Sequence, residues 1–328
     1  MNRPLRWGIL GAGVIAGAVA VDVAAASSGS VLAAVAARDT ARAAAFARRH
    51  AVPRAYGSYA ELVADPDVDI VYVATTHPQH RDHALLALHA GKNLLLEKPF
   101  TLNGQQGRQV INAARNANVF CMEAMWMRMH PLIRRAQALV HGGSIGDVIS
   151  VHANLSRRVA YDPHHRLFDP AVGGGALLDL GIYPAHLAWL FLGRPDSVHA
   201  TASLAPTGVD DTVGMRWGYH AGRFAQLASS LSGDDRRGAL ITGTRGRIVI
   251  HPPMQVPTRM TVNTGQADET IHARTPGHGY GPEIAEVERC IRTGLPESPL
   301  VPLDHTAAIL DVLDDTRRQI GLRYPSDS

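Results

Sequence analysis

A short apolar run at residues 5–10 ends in Gly11-Ala12-Gly13-Val14-Ile15-Ala16, and an Ala-rich stretch over residues 14–27 follows at once. The pattern is G-x-G-x-x-A between a strand and a helix. The first glycine permits a tight turn, the second lets the backbone approach a pyrophosphate, and Ala16 lets helix and strand pack closely. The helix N-terminus then presents N–H groups and a positive dipole end to negative charge. Position turns this common pattern into a dinucleotide fingerprint, because it follows the first strand and heads a β-α-β series.

That series continues. Residues 31–37 form a second apolar run. Thr40 is placed to cap a helix running to His50, and Ser58 one running to Ala64. Residues 70–75 are apolar throughout, as a strand buried on both faces requires. A helix over 79–90 is stopped by Gly91, and strand 93–96, helix 103–118 and strand 119–124 follow. The rhythm predicts an α/β domain with a doubly wound parallel sheet over residues 1–124. After about Met125 the pattern changes. A helix is expected over 130–141, then β-like stretches at 148–157, 198–204, 212–219, 223–231, 239–250 and 259–263. Gly-bearing turns occur at His220-Ala221-Gly222 and Thr244-Arg245-Gly246. One helix near 175–192 interrupts them, and helices near 282–292 and 305–320 close the chain. Residues 125–328 therefore read as an α+β domain with an open, mainly antiparallel sheet and a helix on one face.

The 328 residues suit two domains. The net charge is only +3, and the pairs Arg48-Arg49, Arg134-Arg135, Arg157-Arg158 and Arg236-Arg237 are scattered without interleaved aromatics. This excludes a nucleic-acid partner and fits a small anionic ligand. Cys121 and Cys290 make neither a disulfide framework nor a Cys-x-x-Cys metal site, which points to a cytoplasmic protein with reduced thiols. Arg3 and Arg6 lead straight into the first strand, so no signal peptide is expected. No apolar run reads as long enough to cross a membrane.

Of 32 basic residues only Lys92 and Lys98 are lysines. Arg stays charged, whereas a partly buried Lys can exchange a proton. Lys98 sits in Glu97-Lys98-Pro99 at the carboxyl end of a predicted strand and is the candidate acid/base group. Lys92 follows Gly91 in a turn and lacks that context. Asp179, Tyr183 and His186, after Gly173-Gly174-Gly175, recur at i, i+4 and i+7 and share one helix face. A carboxylate, a phenol and an imidazole so aligned can relay a proton, although on the helix alone a helix start with Asp179 on backbone donors and Tyr183 half-buried is the better explanation. A nearby ammonium such as Lys98 would lower a tyrosine towards its working range.

The end of the second strand reads Ala36-Ala37-Arg38-Asp39, with Arg42 one turn beyond. The usual ribose-binding carboxylate position is Ala, and Arg38 and Arg42 suit a 2′-phosphate, so NADP is favoured over NAD. Asp39 is left either to cap the helix or to bind ribose. Thr75, Thr76, His77 and His80 leave the carboxyl end of a parallel strand, where ligands bind. His77, His80 and His83 lack the Cys or carboxylate partners of a zinc site, so no metal is expected. Trp126 fits either junction packing or a cleft, and Arg128 fits phosphate or substrate oxygens. No G-x-S-x-G elbow is present, which argues against a serine hydrolase.

The order G-x-G-x-x-A, H-P-x-H, E-K-P, E-A-M-W-x-R-x-x-P and G-G-G-A-L-L-D-L-G-I-Y resembles the glucose–fructose oxidoreductase/inositol dehydrogenase family over nearly the whole chain. Val209-Asp210-Asp211-Thr212-Val213, the Gly243-Thr244-Arg245-Gly246 turn and the ending Ile320-Gly321-Leu322-Arg323-Tyr324-Pro325 liken it to that family's dihydrodiol and D-xylose dehydrogenase branch. The resemblance implies a Rossmann domain and an open sheet through which a homodimer or higher homo-oligomer assembles. It implies Lys98 and Tyr183 beside nicotinamide and substrate hydroxyl, a cis Lys98–Pro99 bond, and Glu97, Pro99, Trp126 and Arg128 around the cofactor. Inositol-type members carry His where this chain has Tyr183, and Asp where it has His186, so the resemblance favours the sugar and diol branch and leaves His186 without an assigned role.

The expectation is an NADP(H)-dependent dehydrogenase for a sugar or cyclic trans-diol, with Tyr183 exchanging a proton, Lys98 beside it, Asp179 orienting the pair and His186 shuttling protons. The same chemistry in reverse would reduce a dicarbonyl sugar. The alternative from another class is a non-catalytic NAD(P)-sensing regulator on the same scaffold, which would not need Lys98 and Tyr183 together.

Overall fold

The computed structural model describes residues 3–26, 29–234, 238–265 and 267–327. The Arg236-Arg237 pair and the predicted end of the first helix at Ser27 lie outside the described residues. Two compact units emerge, Met1–Trp126 with Thr275–Ala307, and Met127–Arg274 with Ala308–Ser328. The single changeover expected at residue 124 did not include the return of residues 275–307 to the first unit.

In the first unit, strands β1 (Leu5–Leu10), β2 (Ser30–Ala36), β3 (Arg54–Tyr56), β4 (Ile70–Val73), β5 (Asn93–Glu97) and β6 (Cys121–Ala124) form a six-stranded sheet in the order β3-β2-β1-β4-β5-β6. Every pairing is parallel. Helices α1 (Val14–Ala25), α2 (Thr40–His50), α3 (Tyr59–Ala64), α4 (His80–His89) and α5 (Gly104–Ala117) make the crossovers. Trp7, Ile9 and Leu10 of β1 and all of β4 are fully buried, as a doubly covered sheet requires. The buried Trp7 indole donates to Ser30 Oγ at 2.7 Å. Ser58 caps α3 as expected, with Oγ accepting from Ala60 N. Thr40 does not cap α2. It is the first helical residue, and the cap is Asp39, whose carboxylate accepts from Arg42 N at 2.7 Å. Asp is the better cap because its anion also meets the positive end of the helix dipole. Strand β3 lacks a strong pattern and was not expected.

Long-range polar pairings bring residues 275–307 onto this unit. The Asp22 carboxylate in α1 accepts from His278 N at 2.9 Å and Tyr280 N at 2.8 Å, and Thr306 Oγ1 donates to Glu123 at 2.8 Å.

In the second unit, α6 (Pro131–His141) precedes β7 (Val148–Ser156), and a helix then leads through α7 (Ile182–Leu192) to β8 (Ser197–Leu204), β9 (Asp210–Gly218), β10 (Phe224–Ser230), β11 (Gly238–Gly243), β12 (Arg247–Ile250), β13 (Arg259–Asn263) and β14 (Asp268–His272). The eight strands run β14-β13-β12-β11-β7-β10-β9-β8. Only β7 and β10 pair in parallel. The 239–250 stretch is a hairpin turning at Thr244-Arg245-Gly246, and the exposed β14 was not expected. Helices α8 (Gly281–Arg292) and α9 (Leu303–Ile320) close the chain.

The expectation about membrane-length segments needs correction. Pro170–Leu192 is long and apolar enough to cross a membrane, but 94% of its apolar window is buried within the fold. It is a core helix, apolar all round because protein surrounds it.

Candidate active site

The first unit carries a candidate cofactor site at the carboxyl edge of its sheet. Gly11 has φ of 105°, and a Cβ there would come within 2.6 Å of the Ala74 carbonyl oxygen. The turn therefore needs glycine on two counts. A Cβ at Gly13 would meet no described atom within 4 Å, so the backbone faces open space. Gly13 begins α1 without a side-chain cap, the first turn carries no acidic residue, and Ala16 is fully buried. Backbone donors at a bare helix start suit a diphosphate, so the group implied by the motif fits Gly11, Ala12, Gly13, Val14 and Ile15. Arg38 and Arg42 are exposed beyond β2. The Asp39 carboxylate is engaged in capping α2 through Arg42 N.

Loops after β4 and β5 are tied together by His80. Its ring is fully buried, with Nδ1 2.8 Å from the Pro99 carbonyl oxygen and Nε2 3.1 Å from that of Thr75. Two acceptors favour the charged ring, but loss of water outweighs them and lowers its pKa to about 4. His80 thus supports the loops from within. Thr75 Oγ1 lies 3.0 Å from His83 Nδ1, and Thr76 Oγ1 donates to Gln79 at 3.3 Å. His77 is buried beside His80, ring centres 5.7 Å apart. Among the described residues no group of three or more His, Cys, Asp or Glu side chains converges as metal ligands.

Lys98 is half-buried after β5, and its peptide bond to Pro99 is cis. Glu97 holds the segment: one carboxylate oxygen accepts from Lys98 N at 3.0 Å, the other from the Tyr72 hydroxyl at 2.6 Å. Glu97 is buried and so engaged that it serves the strand end. Glu123 accepts from Phe100 N at 3.1 Å. Trp126 stacks on Tyr280 with ring centres 4.8 Å apart and planes at 28°. Sequence reasoning missed Tyr72, Glu283 and Tyr280. Burial, reinforced by Glu97 and Glu123, raises the Glu283 pKa well above the carboxylate range.

The second unit carries Asp179, Tyr183 and His186. The helix start at Leu177–Gly181 is wound as a π-turn that passes into α7, a winding that recurs at functional positions. The wider turn changes the expected i, i+4 alignment of Asp179 with Tyr183. Asp179 and Tyr183 keep some exposed surface, at 8% and 7%, whereas His186 has none. His186 is a core residue of α7, and this burial opposes its expected proton-shuttle role. Arg166, which sequence reasoning also missed, donates to Asp179 Oδ1 at 3.2 Å. Gly174 fits there because the carbonyl oxygens of Arg166, Leu167 and Asp169 would all lie within 3 Å of a Cβ. Arg128 is buried in this unit, at 3% exposure.

Comparison with known proteins agrees with this architecture. Residues 5–125 match the oxidoreductase family with NAD-binding Rossmann fold, and residues 133–249 match the GFO/IDH/MocA C-terminal domain. The chain is 38% identical to trans-1,2-dihydrobenzene-1,2-diol dehydrogenase of Xenopus tropicalis and 35% identical to that of Homo sapiens, each over 98% of this chain and 99% of the relative. Among solved structures, aldose-aldose oxidoreductase from Caulobacter crescentus, complexed with glycerol, superposes with a TM-score of 0.88 at 26% identity over 97% of each chain. Levoglucosan dehydrogenase, in complex with NADH and levoglucosan, does so with 0.87 at 22% identity over 97% of each chain, a likeness of fold. A bare glycine loop at a helix start, a lysine held at the end of β5, and full-length relatedness lead to one conclusion: this chain belongs to the GFO/IDH/MocA oxidoreductase family.

Proposed function

We propose that the protein is an NADP(H)-dependent dehydrogenase for a cyclic trans-diol or a sugar. The observation that carries the reading is the held Lys98 backbone, fixed through Glu97 at the carboxyl edge of a sheet whose first loop fits a dinucleotide. The diol is supported by relatives of 35% and 38% identity over almost their whole length that bear the dihydrodiol dehydrogenase name. The nicotinamide, when bound, takes up or returns the hydride of the reacting carbon. Tyr183 takes the hydroxyl proton in oxidation and returns it in reduction. Lys98 hydrogen-bonds the same oxygen and favours the phenolate. Asp179, held by Arg166, orients the pair. The Gly11–Gly13 backbone would hold the dinucleotide diphosphate, Thr75, Thr76, His77, Pro99, Trp126 and Arg128 would contribute to holding the cofactor, and Arg38 and Arg42 would pair with a 2′-phosphate. The exposure of both arginines and the capping role of Asp39 support NADP over NAD.

A cytoplasmic location belongs to this proposal, supported by two buried free thiols, Cys121 and Cys290. So does a homo-oligomer formed through the open face of the eight-stranded sheet. That face holds a cavity of about 740 Å³ lined by groups such as His152, His199, Arg216 and Gln226. Sedimentation analysis tests the assembly, and a monomer at micromolar concentration would refute it.

The test of function is a screen of cyclic trans-diols, aldoses and polyols with NADP and with NAD, followed by nicotinamide absorbance. Reduced NADP should accumulate with at least one diol or sugar. No turnover across the set, with cofactor binding intact, would overturn the reading.

A further inference from the structure

We propose that Asp210 is a positioning residue for Tyr183, acting through the π-turn from which the Tyr183 helix continues, with Tyr324 as its partner in the clamp. The inference rests on the reading of Tyr183 as the proton-exchanging group.

Asp210 opens β9 and is completely buried. Its Oδ2 accepts from the backbone N–H of Leu177, the first residue of the π-turn, at 2.6 Å. The carboxylate thus caps, from a distant strand, a helix start with no side-chain cap of its own. Oδ1 has no hydrogen-bond partner among the described residues and packs where a Cβ at Gly175 would stand. Gly175 has φ of 117°, so this close approach and its backbone conformation both need glycine.

Tyr324 grips the preceding residue. Its buried hydroxyl donates to the Gly174 carbonyl oxygen at 2.6 Å. Tyr324 is itself fixed: its N–H donates to Asp327 at 2.8 Å, and the Arg317 guanidinium lies 4.6 Å from its ring centre while pairing with Asp327. The turn packs alongside β10: a Cβ at Gly181 would sit 3.6 Å from Ser229 Oγ, an ordinary contact distance. Glycines, a buried acid and the chain's last tyrosine therefore determine where the turn begins. Two residues beyond the turn stands Tyr183.

Burial raises the Asp210 carboxyl to about 7; the Leu177 N–H and the Arg317 guanidinium oppose that rise, while the neighbouring Asp211 adds to it. A group so close to neutrality at working pH is well imitated by an amide. The cap can therefore be removed or kept at will: Asp210→Ala deletes the acceptor, and Asp210→Asn keeps an oxygen for Leu177 N.

The experiment combines steady-state kinetics with hydrogen–deuterium exchange on the full-length protein. In Asp210→Ala, kcat should fall about ten-fold or more, as for a small misplacement of a reacting group, with the KM for NADP moved less than about two-fold. Exchange should quicken in the peptide spanning residues 174–184. Asp210→Asn should restore both, and Tyr324→Phe should show a milder form of the same loss. Unchanged kcat and exchange in Asp210→Ala, or equal losses in Asp210→Asn and Asp210→Ala, would overturn the proposal. Should Asp210→Ala fail to fold, Tyr324→Phe and Asp210→Asn carry the test. Failure of the functional reading is separable, because wild-type protein would then turn over no diol or sugar while the exchange comparison still decides the anchoring.

Discussion

The Glu97 carboxylate receives the backbone N–H of Lys98 at 3.0 Å, and its other oxygen receives the Tyr72 hydroxyl at 2.6 Å. The Lys98 backbone is thus held by its chain neighbour Glu97, which is itself fixed by Tyr72 of the adjacent strand β4. In Lys98→Met, kcat should fall about 10²- to 10⁴-fold, the range of a positioned acid/base group. Binding of NADP, measured by fluorescence, should persist. Undiminished turnover would refute the role.

The capping contact of Asp39 separates two explanations of one carboxylate. Asp39→Ala should cost about 1 kcal/mol of stability, and Asp39→Ser should recover most of it. Neither should shift the preference between NADP and NAD. Arg38→Ala should lower the ratio of kcat/KM for NADP over NAD by about ten- to a hundred-fold, the worth of one hydrogen bond to a charged group. A ratio that moves with Asp39 and not with Arg38 would reverse the cofactor assignment.

Gly11→Ala should destabilise the first unit. The positive φ costs about 1–3 kcal/mol and the contact with the Ala74 carbonyl oxygen adds to it. Urea unfolding should show a lower midpoint, and NADP binding should be lost. Gly13→Ala, with open space at its Cβ, should fold like wild type and bind the dinucleotide poorly.

His80 makes stability depend on acid. Its folded pKa of about 4 lies below the ordinary value of 6.5. The unfolded chain therefore takes up the proton first, and stability falls as pH drops from 6.5 towards 4. His130, lowered by burial to about 4, acts in the same direction. Thermal midpoints of His80→Gln should fall less steeply over that window than those of wild type. Parallel curves would show that His80 does not carry the effect.

Local patterns announced much of this molecule. The glycine loop, the apolar run at 70–73, the cap at Ser58 and the hairpin at Thr244-Arg245-Gly246 are each specified by residues a few positions apart, so their spacing could be read directly. The choice between Thr40 and Asp39 as cap depends on one residue of phase, which periodicity does not resolve. Strands β3 and β14 are partly or largely exposed, and an exposed strand has little alternation to reveal it.

Other features have no local signature. The return of residues 275–307 to the first unit depends on Asp22 meeting backbone N–H groups more than 250 positions away. The burial of His186, the capture of Asp179 by Arg166 and the grip of Asp210 on Leu177 depend equally on which distant elements pack together. Chemical identity and short-range geometry are written in neighbouring residues, and they identified the dinucleotide loop and nominated the lysine and tyrosine. Which polar groups are stripped of water, and which donor each then finds, is settled only by packing, because desolvation and hydrogen bonding act through space regardless of distance along the chain.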